Sequence, residues 1–339
     1  MGGKSDERAV SLVTGQMIIN ALDLDRYNVT AIDTAGYCDT AISGTRHTAL
    51  TAMKPLEYLT HSSQSDPAPV KDPALVKAGN GKSKPKLDVA FIALHGRYGE
   101  DGTVQGMLEL LEIPYVGSGV LASALAMDKI MTRKMMKCDG IPVPAGVSFS
   151  KNDDRSTAIP IIESETGYPA VVKPNRQGST IGLSIARSRE ELISALDLAF
   201  KYDENVLIER FVKGIEITVP VLGNDALRVL PIVEIVPDGG FYDYHAKYTD
   251  GATEEIVPAR ISESQYRRAE ELALMCHKAL GCRGMSRTDM IVAEDGIYVL
   301  ETNTIPGMTP TSLLPRSAKA AGIEFPELLD ILIDLALER

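Results

Sequence analysis

Several residue types that often carry stability or function are scarce in this chain. Its 339 residues include no tryptophan, six phenylalanines and five histidines. No stretch of 18 apolar residues is present, so no membrane span is predicted, and the first residues lack the pattern of a signal peptide. The four cysteines, Cys38, Cys138, Cys276 and Cys282, include no CxxC pair. Buried reduced thiols in a reducing cytoplasm are therefore favoured over a zinc site.

Positive charge is also in deficit. The 35 lysines and arginines against 46 aspartates and glutamates give a net charge of -11. This disfavours a nucleic-acid-binding surface, although a small anionic ligand could still bind in a local basic pocket. Apolar residues make up 44% of the chain and charged residues 24%. These values are typical of a soluble globular protein, and the length is sufficient for two or three domains.

The most informative segment lies near the C-terminal end, where two strand-like runs, MIVA and IYVL, flank the turn sequence EDG. Folding the chain about Asp295 places Asp289 opposite Glu301, with Arg287 and Asn303 two residues further along the same strand faces. Unpaired carboxylates so close together would repel, and oxygen ligands of this kind suit Mg²⁺ completed by substrate phosphates. A metal site is favoured, and an ordinary hairpin with charged ends stays the alternative.

Two segments predict the framework of an α/β protein. The run LDVAFIAL at Leu87–Leu94 is typical of a buried parallel strand and follows a polar insertion at Ser62–Lys86. His95 comes directly after this strand, where α/β sheets place ligands, and both a structural role and a ligand role stay open for it. The pattern predicts one long helix over Val120–Cys138, in which Lys129 would by default be a solvated lysine.

A second group of signals points to a phosphate-binding loop. Strands PAVVKP and GLSI flank the loop Asn175–Thr180, whose backbone N–H and hydroxyl groups suit phosphate, with Lys173 at the strand end as a point charge. The polar, aromatic segment Phe241–Asp250 interrupts the strand pattern and predicts a surface loop or lid. Near the N-terminus, Glu7 on its own reads as a first-turn acid favoured by the helix dipole.

Taken in order, the segments HGRYGEDG, GSGVLASALAMDK, VVKPNRQGSTIG, VLIERFVKGIE, FYDYHAKY, SRTDMIV and LETNTIPGMTPTSL resemble the D-alanine–D-alanine ligases of the ATP-grasp fold. The resemblance covers nearly the whole chain from Gly2 onward. It implies a mixed α/β fold with a Rossmann-like parallel-sheet domain at 1–117, a small central domain at 118–208 and a larger antiparallel-sheet domain at 209–339. ATP would lie between the last two domains.

The resemblance also implies a reaction and a site. Two D-alanines are joined for peptidoglycan: the first carboxylate attacks the γ-phosphate of ATP, and the second amine attacks the resulting acyl phosphate. The implied ATP-binding residues are Lys129, Lys173, Glu209, Arg210, Val212 and Glu216. The implied ligands of two Mg²⁺ ions, for which Mn²⁺ can substitute, are Asp289, Glu301 and Asn303. The implied catalytic residues are Glu7, Ser179, Tyr248, Arg287 and Gly307. The implied residues for D-alanine are His95, Glu100, Lys247, Ser312 and Leu313.

Three positions depart from the family pattern, namely Ala9, Gln177 and His245, and the family's first strand, which precedes the Gly-Gly turn, has no counterpart before Gly2. We expect the lack of this strand to loosen Glu7. The family implies a cytoplasmic homodimer. Because Tyr248 stands where D-lactate-using relatives carry histidine, D-alanine is favoured as second substrate and D-serine is the alternative. A non-catalytic ATP-binding relative is the second reading, and another ATP-grasp carboxylate–amine ligase is the third.

Overall fold

The first part of the chain forms a small unit of helices and short strands. The computed structural model describes residues 1–5, 7–35, 39–41, 87–237 and 253–338, so the predicted insertion lies outside the described residues. The elements of this part are α1 (Arg8–Ala21), β1 (Thr30–Ile32), β2 (Asp39–Ala41), α2 (Thr103–Leu110), α3 (Val120–Met127) and α4 (Lys129–Cys138). Strands β1 and β2 pair antiparallel.

The segment predicted as a buried parallel strand, Leu87–Leu94, makes one parallel bridge, between Ala90 and Tyr115. Its side chains alternate as in a strand, because Val89, Phe91 and Ala93 pack in one apolar cluster and Ala90, Ile92 and Leu94 in another. Extension of the pairing toward Asp88 would need an N–H at Pro114, which proline lacks. Within the described residues, the predicted Rossmann-like parallel sheet is therefore limited to this bridge.

The predicted helix over Val120–Cys138 is in fact two helices. Asp128 has an extended conformation and separates α3 from α4, and its carboxylate accepts a hydrogen bond from the N–H of Met131 at 3.0 Å. This is an N-cap, which favours a new helix start over continuation of the old helix. Lys129 therefore occupies the first turn of α4 instead of the middle of an exposed helix.

The central part contains a four-stranded antiparallel sheet in the order β3-β6-β4-β5. Its elements in chain order are β3 (Gly146–Ser150), α5 (Arg155–Thr166), β4 (Ala170–Pro174), β5 (Ser184–Ala186), α6 (Arg189–Ala199) and β6 (Asn205–Arg210). Helices α5 and α6 cover one face, where Ile162 and Leu192 pack against Val172 and Ile208. Side chains alternate across a strand, so the opposite face carries Lys173.

A larger antiparallel sheet follows, in the order β10-β9-β7-β11-β12, with β8 paired to β7. Its elements are β7 (Ile215–Gly223), β8 (Arg228–Val229), β9 (Val233–Pro237), β10 (Thr253–Ile256), α7 (Glu263–Ala279), β11 (Gly284–Ala293), β12 (Gly296–Asn303), α8 (Leu313–Ala320) and α9 (Phe325–Leu337). Helix α7 packs on one face through residues such as Leu272. The C-terminal helices join the core of the first part, since Leu328 and Leu332 cluster with Ile18 and Ala93. None of the described helices has both the length and the apolar character needed to cross a membrane.

Candidate active site

The acidic pair predicted from the hairpin is present. Asp289 of β11 pairs with Glu301 of β12, and Arg287 pairs with Asn303. At the tip, Ala293 pairs with Gly296, whereas symmetry about Asp295 predicts that it pairs with Ile297, one residue further along. A β-bulge restores the predicted register, because Met290 pairs with Val299 while the neighbouring Asp289 pairs with Glu301.

The bulge also decides which face these side chains occupy. Before it, Ile297 and Val299 point into the buried core beneath α7. After it the alternation is inverted, so that Thr302 is buried while Glu301 and Asn303 share the opposite face. Without the bulge, strict alternation from Ile297 and Val299 would place the carboxylate of Glu301 in the apolar core.

Arg287 and Asp289 form a bidentate ion pair on this face. Arg287 donates from Nε to Oδ1 at 3.0 Å and from Nη2 to Oδ2 at 2.9 Å. Thr218 of β7 donates its hydroxyl to Oδ1 of Asp289 at 2.5 Å. The side chain of Glu301 is 36% exposed, and Asn303 accepts a hydrogen bond at Oδ1 from the N–H of Ile305 at 2.9 Å.

The donor set is compatible with a hard cation, since two carboxylates and an amide oxygen lie on neighbouring strands. A cation bound to Asp289 would compete with Arg287 and Thr218 for its oxygens. In the part of the chain that the structure describes, no cluster of three or more His, Cys, Asp or Glu side chains forms a complete metal site. A cation held by Asp289, Glu301 and Asn303 would therefore need substrate phosphates and water to complete its coordination shell.

Lys129 connects the predicted phosphate loop to the acidic pair. Its ammonium donates to the carbonyl oxygen of Gln177 at 2.6 Å and lies 3.7 Å from Oε2 of Glu301. The loop itself is tightly turned, because Ser179 and Thr180 have φ angles of 49° and 62°. Such left-handed backbone is costly for non-glycine residues and is commonly found at functional sites.

Glu7 lies buried against the same loop. Ser179 donates its hydroxyl to Oε1 of Glu7, and only 8% of Glu7 is exposed. Gly96 and Gly178 approach the carboxylate from two sides, and a Cβ at Gly96, which has a φ of +68°, would collide with it. The close fit explains why glycine is required at Gly96.

His95 and Glu100 line the same end of the site, both with altered proton affinity. Burial, and then the positive charge of Arg287, lower the pKa of His95 to about 4, so the imidazole is neutral at pH 7. Its Nε2 lies 3.1 Å from the hydroxyl of Thr14. Burial and then repulsion by Glu7 raise the pKa of Glu100, although the Gly96 N–H donates to Oε2 of Glu100 at 2.6 Å. The charge of Arg287 lowers the pKa of Glu100 and that of Glu301 raises it, so Glu100 lies near the hairpin face that carries both side chains.

The adenine-side candidates lie along the central sheet and its exit. Glu209 of β6 is buried and lies 2.6 Å from the ammonium of Lys173. The backbone N–H of Arg210 donates to Ala145, and its guanidinium lies over the ring of Tyr298. Val212 is in the connection that follows β6. Glu216 of β7 pairs with Ile291, on the sheet face that carries Asp289.

The loop after the hairpin places the last candidates at the start of α8. Gly307 lies against Ser312, whose hydroxyl would be 3.0 Å from a Cβ added at Gly307. Ser312 is the N-cap of α8 and Leu313 its first residue. The N–H of Ser312 donates to the carbonyl oxygen of Thr309 at 2.9 Å, so a carboxylate attracted to this helix N-terminus would have to compete for that N–H. Two predicted residues, Lys247 and Tyr248, lie outside the described residues, as does His245.

Two features of the site escaped the sequence analysis. Thr218 anchors Asp289, and Arg133 of α4 donates from Nη1 to Oε1 of Glu209 at 2.7 Å. Thr218 shares the face of Glu216 by strand alternation, which is a weak signal. Arg133 follows Lys129 by four residues and so lies on the same face of α4, a signal that was readable once the helix start was known.

The fold and the site together define the class of protein. Two antiparallel sheets, a tight loop with lysines beside it, and an acid pair with an arginine across the same opening are the features of an ATP-grasp ligase. Family models described as "D-ala D-ala ligase N-terminus" and "D-ala D-ala ligase C-terminus" match residues 1–118 and 135–334. The chain belongs to the D-alanine–D-alanine ligase family.

Individual relatives agree with this assignment over the full length. The chain is 46% identical to the D-alanine–D-alanine ligase of Syntrophobacter fumaroxidans, over 99% of this chain and 96% of that protein. It is 43% identical to that of Pelotomaculum thermopropionicum, over 100% and 95% respectively.

Solved structures give the same result. The ligase from Bacillus anthracis complexed with ATP has a TM-score of 0.73 at 34% identity, covering 100% of this chain and 96% of that one. The ligase from Coxiella burnetii has a TM-score of 0.78 at 29% identity, covering 100% and 92%.

Proposed function

We propose that this protein joins two molecules of D-alanine to D-alanyl-D-alanine with hydrolysis of ATP to ADP and phosphate, as a step in peptidoglycan precursor synthesis. The observation that carries the proposal is the closure of one site from three parts of the chain. Glu7 meets Ser179 of the phosphate loop, and Lys129 bridges that loop to Glu301 beside Arg287. The membership of the family and the likeness to an ATP-bound relative support it.

The nucleotide half of the site uses cations and backbone groups. Lys129 and Lys173 neutralise the phosphates, Glu216 holds a ribose hydroxyl, and Glu209 faces adenine together with the backbone of Arg210 and Val212. Asp289, Glu301 and Asn303 hold two Mg²⁺ ions, or Mn²⁺ in their place. When bound, these ions offset the charge that develops on the transferred phosphoryl group.

The substrate half binds and orients the two D-alanines. Glu7 receives the ammonium group of the first D-alanine, and His95 and Glu100 line the same side. A carboxylate oxygen of this D-alanine forms a bond to the γ-phosphorus of ATP, the bond from that phosphorus to the β,γ-bridging oxygen breaks, and D-alanyl phosphate and ADP result. Arg287 and the N–H of Gly307 stabilise the developing oxyanion.

The second D-alanine completes the reaction. Its carboxylate is bound by the N–H groups of Ser312 and Leu313 and by Lys247, so that its amine attacks the acyl phosphate and displaces phosphate. Tyr248 and Ser179 close over the intermediate with Glu7 and exclude water. A phenol at Tyr248 carries no positive charge and so does not repel the incoming ammonium, which favours D-alanine over D-lactate.

The test is ADP release coupled to each acceptor. We expect ADP to form with D-alanine alone. Because D-alanine must also be present as first substrate when another acceptor is offered, the product is identified as well, and we expect D-alanyl-D-serine to a smaller extent and no D-alanyl-D-lactate. If the folded protein released no ADP in response to D-alanine, this would contradict the proposal and favour a non-catalytic ATP-binding relative. A rate with D-serine above that with D-alanine would instead identify a D-alanine–D-serine ligase.

We further propose the assembly and the setting of the enzyme. The proposed division of the chain is into units at 1–117, 118–208 and 209–339, and β6 extends two residues past the last boundary, to Arg210. A homodimer would bury the exposed apolar side chains of α2 and α3, of which Leu110 and Leu121 are 88% and 72% exposed. Sedimentation velocity of the wild type and of Leu110→Glu tests whether the protein is a dimer, and a monomeric wild type would contradict this proposal.

The free thiols of Cys138, Cys276 and Cys282 support a reducing cytoplasm as the place where the enzyme works.

A further inference from the structure

A buried group of three charged side chains, here called the charged triad, joins α4 to the central sheet. Arg133 donates from Nη1 to Oε1 of Glu209 at 2.7 Å, and Lys173 donates from Nζ to Oε2 of the same carboxylate at 2.6 Å. Each of the three side chains is less than a tenth exposed. Arg133 also donates from Nη2 to the carbonyl oxygen of Gly146 at 3.2 Å.

The charges of the triad do not balance. Two cations share one carboxylate in a region that water scarcely reaches, which leaves a net positive charge. An uncompensated buried charge is costly, and the triad therefore favours the arrival of an anion. Lys173 is the member at the end of β4, directly before the phosphate loop, and so it is the cation that an arriving phosphate would engage.

Engagement of Lys173 by phosphate weakens its bond to Glu209. Without another partner, Glu209 would then be a buried carboxylate with reduced compensation, and its attraction for Lys173 would oppose nucleotide binding. Arg133 removes this conflict, because its guanidinium is fixed by Gly146 as well as by Glu209 and stays in place when Lys173 turns away.

The position of Arg133 on α4 is consistent with such a role. Arg133 follows Lys129 by four residues, so the two side chains lie on one helix face. Lys129 reaches the phosphate loop at Gln177 while Arg133 reaches β6. The N-cap at Asp128 fixes the start of this helix and thereby the placement of both cations.

We infer that Arg133 is a positioning residue for the nucleotide: it holds Glu209 and supplies its counter-charge while Lys173 engages the phosphates. The inference rests on the proposed function, since it concerns how ATP is bound. It assigns a role to a residue that neither the resemblance nor the sequence analysis singled out.

The experiment compares ATP affinity by calorimetry, with Mg²⁺ present, across variants of the full chain. We expect Arg133→Met to weaken ATP binding by about tenfold or more, as is typical when one member of a coupled charged group is removed. Arg133→Lys should restore part of the affinity. The control Lys134→Met removes the same charge from an exposed neighbour on α4 and should bind ATP as the wild type does.

A double variant separates this role from mere loss of packing. In Arg133→Met combined with Glu209→Gln, no unpaired carboxylate competes for Lys173, so the double variant should lose less affinity than the product of the two single losses. Steady-state kinetics should show the change mainly in KM for ATP. Wild-type affinity in Arg133→Met, or strictly multiplicative losses, would overturn the inference. A wild type that binds no ATP would contradict the proposed function itself, and the inference with it.

Discussion

Two buried acids, Glu7 and Glu100, face each other at the substrate end of the site. Repulsion by Glu7 adds to the effect of burial in raising the pKa of Glu100, because burial removes water that would otherwise screen the two charges. Protonation of Glu100 relieves the repulsion between the two side chains. A substrate ammonium would add a positive charge to the same space and so favour ionisation of Glu100.

Replacement of Glu100 by glutamine should reduce the pH dependence of stability in the ligand-free protein. The pKa of Glu100 is raised from 4.5 to about 8. At a pH between these two values, the folded state therefore holds a proton that the unfolded state has released. The free energy of unfolding consequently falls as the pH rises through this range. The glutamine side chain in Glu100→Gln is uncharged at every pH. The substitution should therefore remove a slope of up to about 1.4 kcal/mol per pH unit from the pH dependence of the free energy of unfolding.

The measurement is urea unfolding at pH 5, 6.5 and 8. The matched control is Glu112→Gln, an exposed acid in the turn after α2, which should keep the wild-type slope. Equal slopes for wild type and Glu100→Gln would mean that Glu100 is ionised across the range, contrary to the prediction.

Glu301 is one of the three proposed metal ligands, and its charge is expected to be essential. Glu301→Gln should lower turnover at saturating substrates by about a hundredfold at ordinary Mg²⁺ concentrations, because an anionic ligand is lost. Raised Mg²⁺ should recover part of the rate. The control Glu294→Gln makes the same chemical change at the exposed hairpin tip and should be neutral. Near-normal activity of Glu301→Gln at low Mg²⁺ would exclude it as a ligand.

At the scale of elements, the break between α3 and α4 positions the cations of the nucleotide site. Asp128 caps α4 and also pairs with Arg176 of the phosphate loop, at 2.9 Å. The N–H of Lys129 donates to the carbonyl oxygen of Asn175 at 3.2 Å, and Asn175 in turn accepts from the N–H of Ile130. The first turn of α4 is therefore tied to the loop that it serves.

Substitutions at Asp128 should give graded effects. Asp128→Ala loses the cap and the ion pair, and should lower the free energy of unfolding by about 1–2 kcal/mol and raise KM for ATP. Asp128→Asn keeps the capping oxygen and loses only the charge of the ion pair with the exposed Arg176, so it should cost less, about 0.2–1 kcal/mol. Chemical denaturation and ATP kinetics of both variants check this. Equal losses in the two variants would show that the cap contributes little.

The hairpin shows how far an element can be predicted from sequence. The pairing of Asp289 with Glu301 was predicted correctly, although the tip pairs one residue differently and a bulge compensates. Strict alternation from Ile297 would bury Glu301, and that conflict was the available signal for a bulge. Alternation alone does not say where the extra residue is inserted, because this depends on packing against neighbouring strands.

The break between α3 and α4 at Asp128 also had a signal in the sequence, but one continuous helix was predicted. Aspartate is favoured at helix starts, whereas the apolar spacing of the two helices runs on without a clear gap. The charged triad was less accessible. Arg133 and Glu209 are 76 residues apart in the chain, and their contact depends on how α4 packs beside β6.

At the scale of the whole molecule, the site belongs to no single sheet. Glu7 comes from the first part, Ser179 from the loop of the central sheet, and Arg287 with its acids from the large sheet. Ile18 of the first part shares an apolar cluster with Leu222 of the large sheet, whereas the apolar cluster of the central sheet consists of residues from that sheet and its helices. The central sheet meets Glu7 through Ser179, and a polar contact of this kind is suited to open when substrate enters and to re-form around it.

The bond between Ser179 and Glu7 is one of the contacts that join the first part to the phosphate loop, and its loss should impair closure. Ser179→Ala and Glu7→Gln should each lower kcat for D-alanyl-D-alanine formation, and Glu7→Gln should also raise KM for the first D-alanine. Because both residues act through one bond, the double variant should be only slightly slower than the worse single variant. Ser164→Ala, which removes an exposed hydroxyl from α5, is the control and should be neutral. Multiplicative losses in the double variant would show that the two residues act independently, and closure would then have to depend on other contacts between the parts.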